Sequence, residues 1–114
     1  MQIKGDDYRV VYDEGTATFT FYGALRLRGA GEYQPIVDLL DNVTVAPPDL
    51  VTLDVRNLQF LNSSGINVLF RFAIKLRNFA NCELLILGNP DIAWQTKSLR
   101  NITRLMPKAK LQFD

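Results

Sequence analysis

Leu50-Val51-Thr52-Leu53-Asp54-Val55, followed closely by Phe60-Leu61-Asn62-Ser63-Ser64-Gly65-Ile66, is the stretch that decides how this chain folds. The first run is β-branched and apolar, short enough for a buried strand. Beyond the serines, apolar residues recur at Ile66, Leu69, Phe70, Ala73, Leu76 and Ala80, the spacing of a helix. The junction therefore sets two serines at a helix start. The first four N–H groups of a helix lack intrahelical acceptors, so Asn62, Ser63 or Ser64 suits an N-cap. The same N–H groups and the helix dipole favour negative charge, so a phosphate carried on one of these hydroxyls would be well accommodated. Spacing alone leaves both readings open, and capping is the commoner use of such residues.

Upstream, Tyr8 to Tyr12 and Thr16 to Tyr22 read as an antiparallel hairpin around Asp13-Glu14-Gly15, with Phe19 and Phe21 alternating with threonines. Gly23 is expected to end the second strand. The segment from Ala24 to Glu32 reads as a glycine-bearing loop whose Arg26 and Arg28 are either solvated or available to an anion. From Glu32 to about Val45, Ile36, Val37, Leu39, Leu40 and Val43 fit one helix face, with Pro35 in the first turn and Pro47-Pro48 as the stop.

Downstream, the central helix is expected from about Ser64 to Phe79, then a strand from Cys82 to Leu87. Its unbroken Leu84-Leu85-Ile86-Leu87 suggests cover on both faces. Asn89 and Pro90 are the expected cap and first residue of a helix reaching about Leu105, and Ala109 to Phe113 forms a last strand. The order is ββαβαβαβ, an α/β domain with a mixed, mostly parallel sheet. In such sheets ligands gather beyond the carboxyl ends of the parallel strands. Three loops are thus expected together: Gly23 to Gly31, Asn62 to Gly65, and Gly88 to Asp91.

Composition bounds the function. A chain of 114 residues, 47% hydrophobic and 22% charged, makes one domain over residues 1–114 with a core of its own. Thirteen basic against twelve acidic residues give a net charge of +1, no field for nucleic acid or acidic lipid. With no histidine, Ser-His-acid and Cys-His catalysis and most zinc sites are excluded, and the lone Cys82 has no partner for an internal disulfide. No enzyme activity, metal or other cofactor is expected. No signal core or membrane span is legible, so the expected setting is cytoplasmic, without direct membrane insertion, and the expected partners are proteins.

With that order of elements, Leu53-Asp54-Val55 and Phe60-Leu61-Asn62-Ser63-Ser64-Gly65-Ile66-Asn67-Val68-Leu69 resemble the signature of STAS domains, the family of bacterial anti-sigma factor antagonists. The likeness extends to Gly23 and to Gly88-Asn89-Pro90. It implies a single STAS-like domain working as a partner switch. In that family a histidine-kinase-like ATPase, which is also the anti-sigma factor, phosphorylates the first serine of the pair, and a serine phosphatase restores it. By motif position that serine is Ser63, with Ser64 and Gly65 completing the junction. Asn62 stands where the family carries aspartate, and the terminal helix of many members has no counterpart here.

On the central helix, Val68, Phe72 and Phe79 fall roughly 60–90° outside the main apolar stripe, so they form either an interface or a contact with a neighbouring helix. Together with Asn62, Ser64 and Gly65, Val68 and Phe72 are the expected partner-binding surface. The rival readings are a STAS adaptor of a transporter or other complex, never phosphorylated, and a small-ligand or nucleotide-binding STAS domain using Arg26 and Arg28. A serine hydrolase is disfavoured, lacking histidine and a glycine two positions before either serine.

Overall fold

A computed structural model describes all residues from Met1 to Asp114. Ten elements follow in order: β1 (Gln2–Lys4), β2 (Tyr8–Asp13), β3 (Thr18–Leu25), α1 (Gly29–Asp41), a 3-10 turn (Asn42–Thr44), β4 (Leu50–Leu61), α2 (Ser63–Arg77), β5 (Glu83–Gly88), α3 (Ala93–Leu105) and β6 (Lys110–Phe113). The six strands lie side by side in chain order. β1, β2 and β3 are antiparallel neighbours, whereas β3, β4, β5 and β6 run parallel. The expected hairpin and the mostly parallel sheet are both present, with β1 added at the front edge.

Strict chain order has a consequence for layering. Each right-handed crossover moves one strand further in the same direction, so α1, α2 and α3 all fall on one face. Phe19, Phe21, Leu53, Val55, Leu84 and Ile86 point to that face. There they meet Ile36 and Leu40 of α1, Leu69, Phe72 and Leu76 of α2, and Leu99 and Ile102 of α3 in one buried cluster. The opposite face carries Thr20, Asp54, Leu87 and Gln112 in register and no helix. Cover on both faces is therefore not found: Leu85 and Leu87 are half-exposed. The continuous apolar run therefore places Leu84 and Ile86 in the core and Leu85 and Leu87 half-exposed on the open face.

Several boundaries move for local reasons. β3 does not end at Gly23 but bulges there. Gly23 has φ +88°, and a Cβ at that point would meet the Asp7 carbonyl oxygen, so only glycine fits. α1 begins at Gly29, where the Arg28 backbone N–H donates to Glu32 Oε1 (3.2 Å), and Pro35 consequently sits in the helix interior rather than its first turn. Asn89 does not cap α3. Its side chain accepts from the Asp91 N–H (2.9 Å) in a turn, and the helix starts after Ile92. Cys82 is buried, and burial, then Asp49, push its thiol pKa up, which suits a packing role.

Candidate functional site

β4 is the longest strand, and its length carries the serines away from the rest of the sheet. β5 pairs with it only over Leu50 to Asp54, while β3 follows it to Leu61 through two register shifts. Seven further residues of β4, on the order of 20 Å of extended chain, separate the end of β5 from the helix start. The loop from Gly88 to Asp91 accordingly lies far down the strand, and the expected cluster of three loops reduces to two.

Those two are bolted together by one side chain. Asn62 is the N-cap of α2: its Oδ1 accepts from the Gly65 N–H (3.0 Å) and from the Tyr33 hydroxyl (2.6 Å), while its Nδ2 donates to the Leu27 carbonyl (2.7 Å). The amide thus joins the end of β4, the first turn of α2, helix α1 and the loop that carries Arg26 and Arg28. Burial pushes the Tyr33 hydroxyl up to about 12, so it remains a donor at neutral pH. Gly65 packs beneath it. A Cβ there would come within 2.7 Å of the Tyr33 oxygen and closer still to Leu61, so the glycine is required by close approach.

With the cap supplied by Asn62, the serines are released from capping. Ser63 is exposed at the first position of α2, and neither serine hydroxyl makes a hydrogen bond within the chain. The Ser63 and Ser64 backbone N–H groups are also left without intrahelical partners, as helix geometry dictates. The spot is therefore an open hydroxyl at the positive end of a fifteen-residue helix whose first turn holds no acidic residue.

The remaining expected residues divide. Val68 is half-buried on the wall of a groove between α1 and α2. Phe72 is not a surface residue: it is 2% exposed and meets Phe19 edge-on at 5.7 Å, so packing claims it. Its angle from the main stripe points it toward the hairpin end of the sheet rather than outward. Phe79 lies beyond the end of α2. Arg26 stacks over Phe60 (4.8 Å), and Arg28 occupies the α1 N-cap position, its side chain without an ionic partner. No cluster of Cys, Asp or Glu side chains is placed to hold a metal ion, and no helix is long and apolar enough to cross a membrane.

Two features escaped the sequence. Gln95 of α3 is fully buried. Its Nε2 donates to the carbonyls of Val55 (2.7 Å) and Leu58 (3.1 Å), its Oε1 accepts from the Asn89 N–H (2.7 Å), and Trp94 Nε1 adds a second bond to Leu58 (2.9 Å). These side chains stand in for the strand that β4 lacks above Asp54. Asp54, on the outer face, is gripped by Arg56 through Nε (3.0 Å) and Nη2 (2.8 Å), and Arg56 reaches Asp114 (2.9 Å). Burial of Asp54 pulls its pKa up, but the hydrogen bonds and charge of Arg56 outweigh this and leave it below the usual carboxylate value. A polar residue within an apolar helix stripe, and an Asp-x-Arg on one strand, were the only signals available.

No family model and no curated protein sequence matches the chain. Solved structures do. SiaC of Pseudomonas aeruginosa in complex with the diguanylate cyclase SiaD, which that structure describes as activated by SiaC, aligns with TM-score 0.70 and 13% identity over 100% of this chain and 99% of that one. Apo-SiaC from the same organism gives 0.72 and 12% over 98% and 97%, and a further SiaC structure 0.69 and 11% over 100% and 96%. The chain has the same STAS-like α/β fold along its whole length, as its serine junction implied.

Proposed function

We propose that this chain is a bacterial regulatory protein-interaction domain whose hold on a partner is set by phosphorylation of Ser63. One observation carries the reading: Asn62 rather than a serine caps α2, which leaves the Ser63 hydroxyl exposed and unbonded in the position a partner kinase would need. A phosphate there adds about −1.5 to −2 charges at a helix start whose own first turn holds no acidic residue, enough to dismiss a partner by repulsion and desolvation. The proposed kinase is a histidine-kinase-like ATPase, opposed by a serine phosphatase. The likeness to SiaC favours a second reading of the regulated partner, a signalling enzyme of the cyclase type in place of an anti-sigma factor.

The test is to incubate the protein with ATP and a purified serine kinase of the histidine-kinase-like ATPase fold from the same organism, then map the product by mass spectrometry. Phosphate on Ser63 is the expected result. Phosphate confined to Ser64, or absent while the kinase modifies another substrate, overturns the reading.

A further inference from the structure

We infer that the groove between α1 and α2 receives an acidic, amphipathic helix of about three turns from a partner protein. This rests on the reading of the α2 start as a partner surface and says what kind of segment lands there. The groove encloses ≈ 380 Å³ and runs from Ala30 and Ser64 at its upper end to Asp41 and Lys75 at its lower end. Along α1 that is eleven residue steps, from Ala30 to Asp41, roughly 16 Å at 1.5 Å per residue, the length of three helical turns. Leu40 and Phe72 close its floor, and Val37 and Val68 stand half-exposed on its two walls. That apolar stripe suits apolar residues spaced at one face of a helix.

Backbone pairing excludes an extended occupant. Both walls are helices whose own N–H and C=O groups are paired internally, so a strand laid between them would find no ladder, whereas a helix brings its hydrogen bonds with it. Charge then sets the sign. Lys75 Nζ donates to Asp41 Oδ2 (2.7 Å), so those two charges cancel at the lower end, and the Gln34 amide is held by Asp38 (2.8 Å). Of the charged side chains that line the groove, Asp41, Arg71 and Lys75, only the exposed Arg71 has no ionic partner, so the lining itself carries one unbalanced cation. A carboxylate on the incoming helix satisfies it. A second copy of this chain does not supply such a helix. α2 and α3 contain no acidic residue, and the acids of α1 belong to the helix that forms the groove itself. Ser64 lines the upper mouth, next to Ser63. Ser63 stands eight residues before Arg71 on α2, roughly 12 Å at 1.5 Å per residue, so a phosphate there sets like charge against the upper end of an acidic helix rather than against the carboxylate paired with Arg71.

The experiment uses a displayed library of helical peptides, randomised in sequence and charge, selected against the intact unphosphorylated protein. Enriched peptides should carry an apolar stripe and at least one Asp or Glu. They should lose tenfold or more in affinity for Arg71→Glu and for Val68→Asp, and keep full affinity for Lys97→Glu on α3. Peptides that are basic or uncharged, that bind both groove variants unchanged, or that fail to enrich at all overturn the inference, as does displacement of the peptides by self-association of the protein. Circular dichroism of each variant confirms that it is folded. The Ser63→Asp protein separates the groove from the phosphoserine switch. Unchanged peptide binding there, with loss in Arg71→Glu, keeps the groove and removes the phosphoserine switch.

Discussion

At position 62 an amide does what a carboxylate could not, because its oxygen and its nitrogen face different needs. The oxygen accepts from Gly65 and Tyr33, and the nitrogen donates to the Leu27 carbonyl. Asn62→Ala is expected to cost ~1–3 kcal/mol in chemical denaturation, combining a lost cap with unmet buried groups, whereas Ser63→Ala stays within about 0.5 kcal/mol. Equal losses in the two variants would return the capping role to the serine. Asn62→Asp keeps the cap but turns an oxygen toward the Leu27 carbonyl, so the amides around Leu27 should exchange hydrogen faster in that variant. The sequence located this junction without apportioning its duties. All three candidates are good caps, and the choice is made by Tyr33 and Leu27, 29 and 35 residues away along the chain.

Helix α3 looks in the sequence like one more amphipathic crossover, yet besides packing Leu99 and Ile102 into the core it braces the upper part of β4 through Trp94 and Gln95. Gln95→Leu should cost ~1–3 kcal/mol, since the Val55 carbonyl loses its side-chain donor while the Leu58 carbonyl keeps Trp94, and more than the neighbouring Thr96→Ala, by equilibrium unfolding. Asparagine and proline before a helix usually mark its start. Here the start slips to Ile92, because the Asn89 N–H is held by the Gln95 side chain. On β4 itself, Asp54 has a folded pKa below its unfolded value near 3.9. Its stabilising contribution is therefore complete above that unfolded value and is lost as pH falls through the folded one. Unfolding measured from pH 6 down to pH 2 should show a shallower acid limb in Asp54→Asn, which is already less stable at pH 6.

For the molecule as a whole, element order and strand direction were legible, since hydrophobic period and turn residues report them directly. Layering was not. Leu84-Leu85-Ile86-Leu87 reads the same whether one face or two is covered, and only the chain-order sheet decides that every helix lies on one side. Aspartate should therefore be rejected at Ile86, which is fully buried, giving no cooperative unfolding. Leu87→Thr on the open face should change stability by less than ~1 kcal/mol. A comparable loss at both positions would mean that the outer face is covered after all.

The mismatch in length between β4 and β5 leaves the upper half of β4 paired with a strand on one edge only: flanked by two strands at its base, braced on the other edge by Trp94 and Gln95, and tied at its tip through Asn62 beside the serines. A load applied at the tip is felt most at the brace. Anything that seizes or charges the start of α2 should thus register in the tryptophan environment more than 30 residues downstream, giving a built-in fluorescence reporter on Trp94, the only tryptophan of the chain.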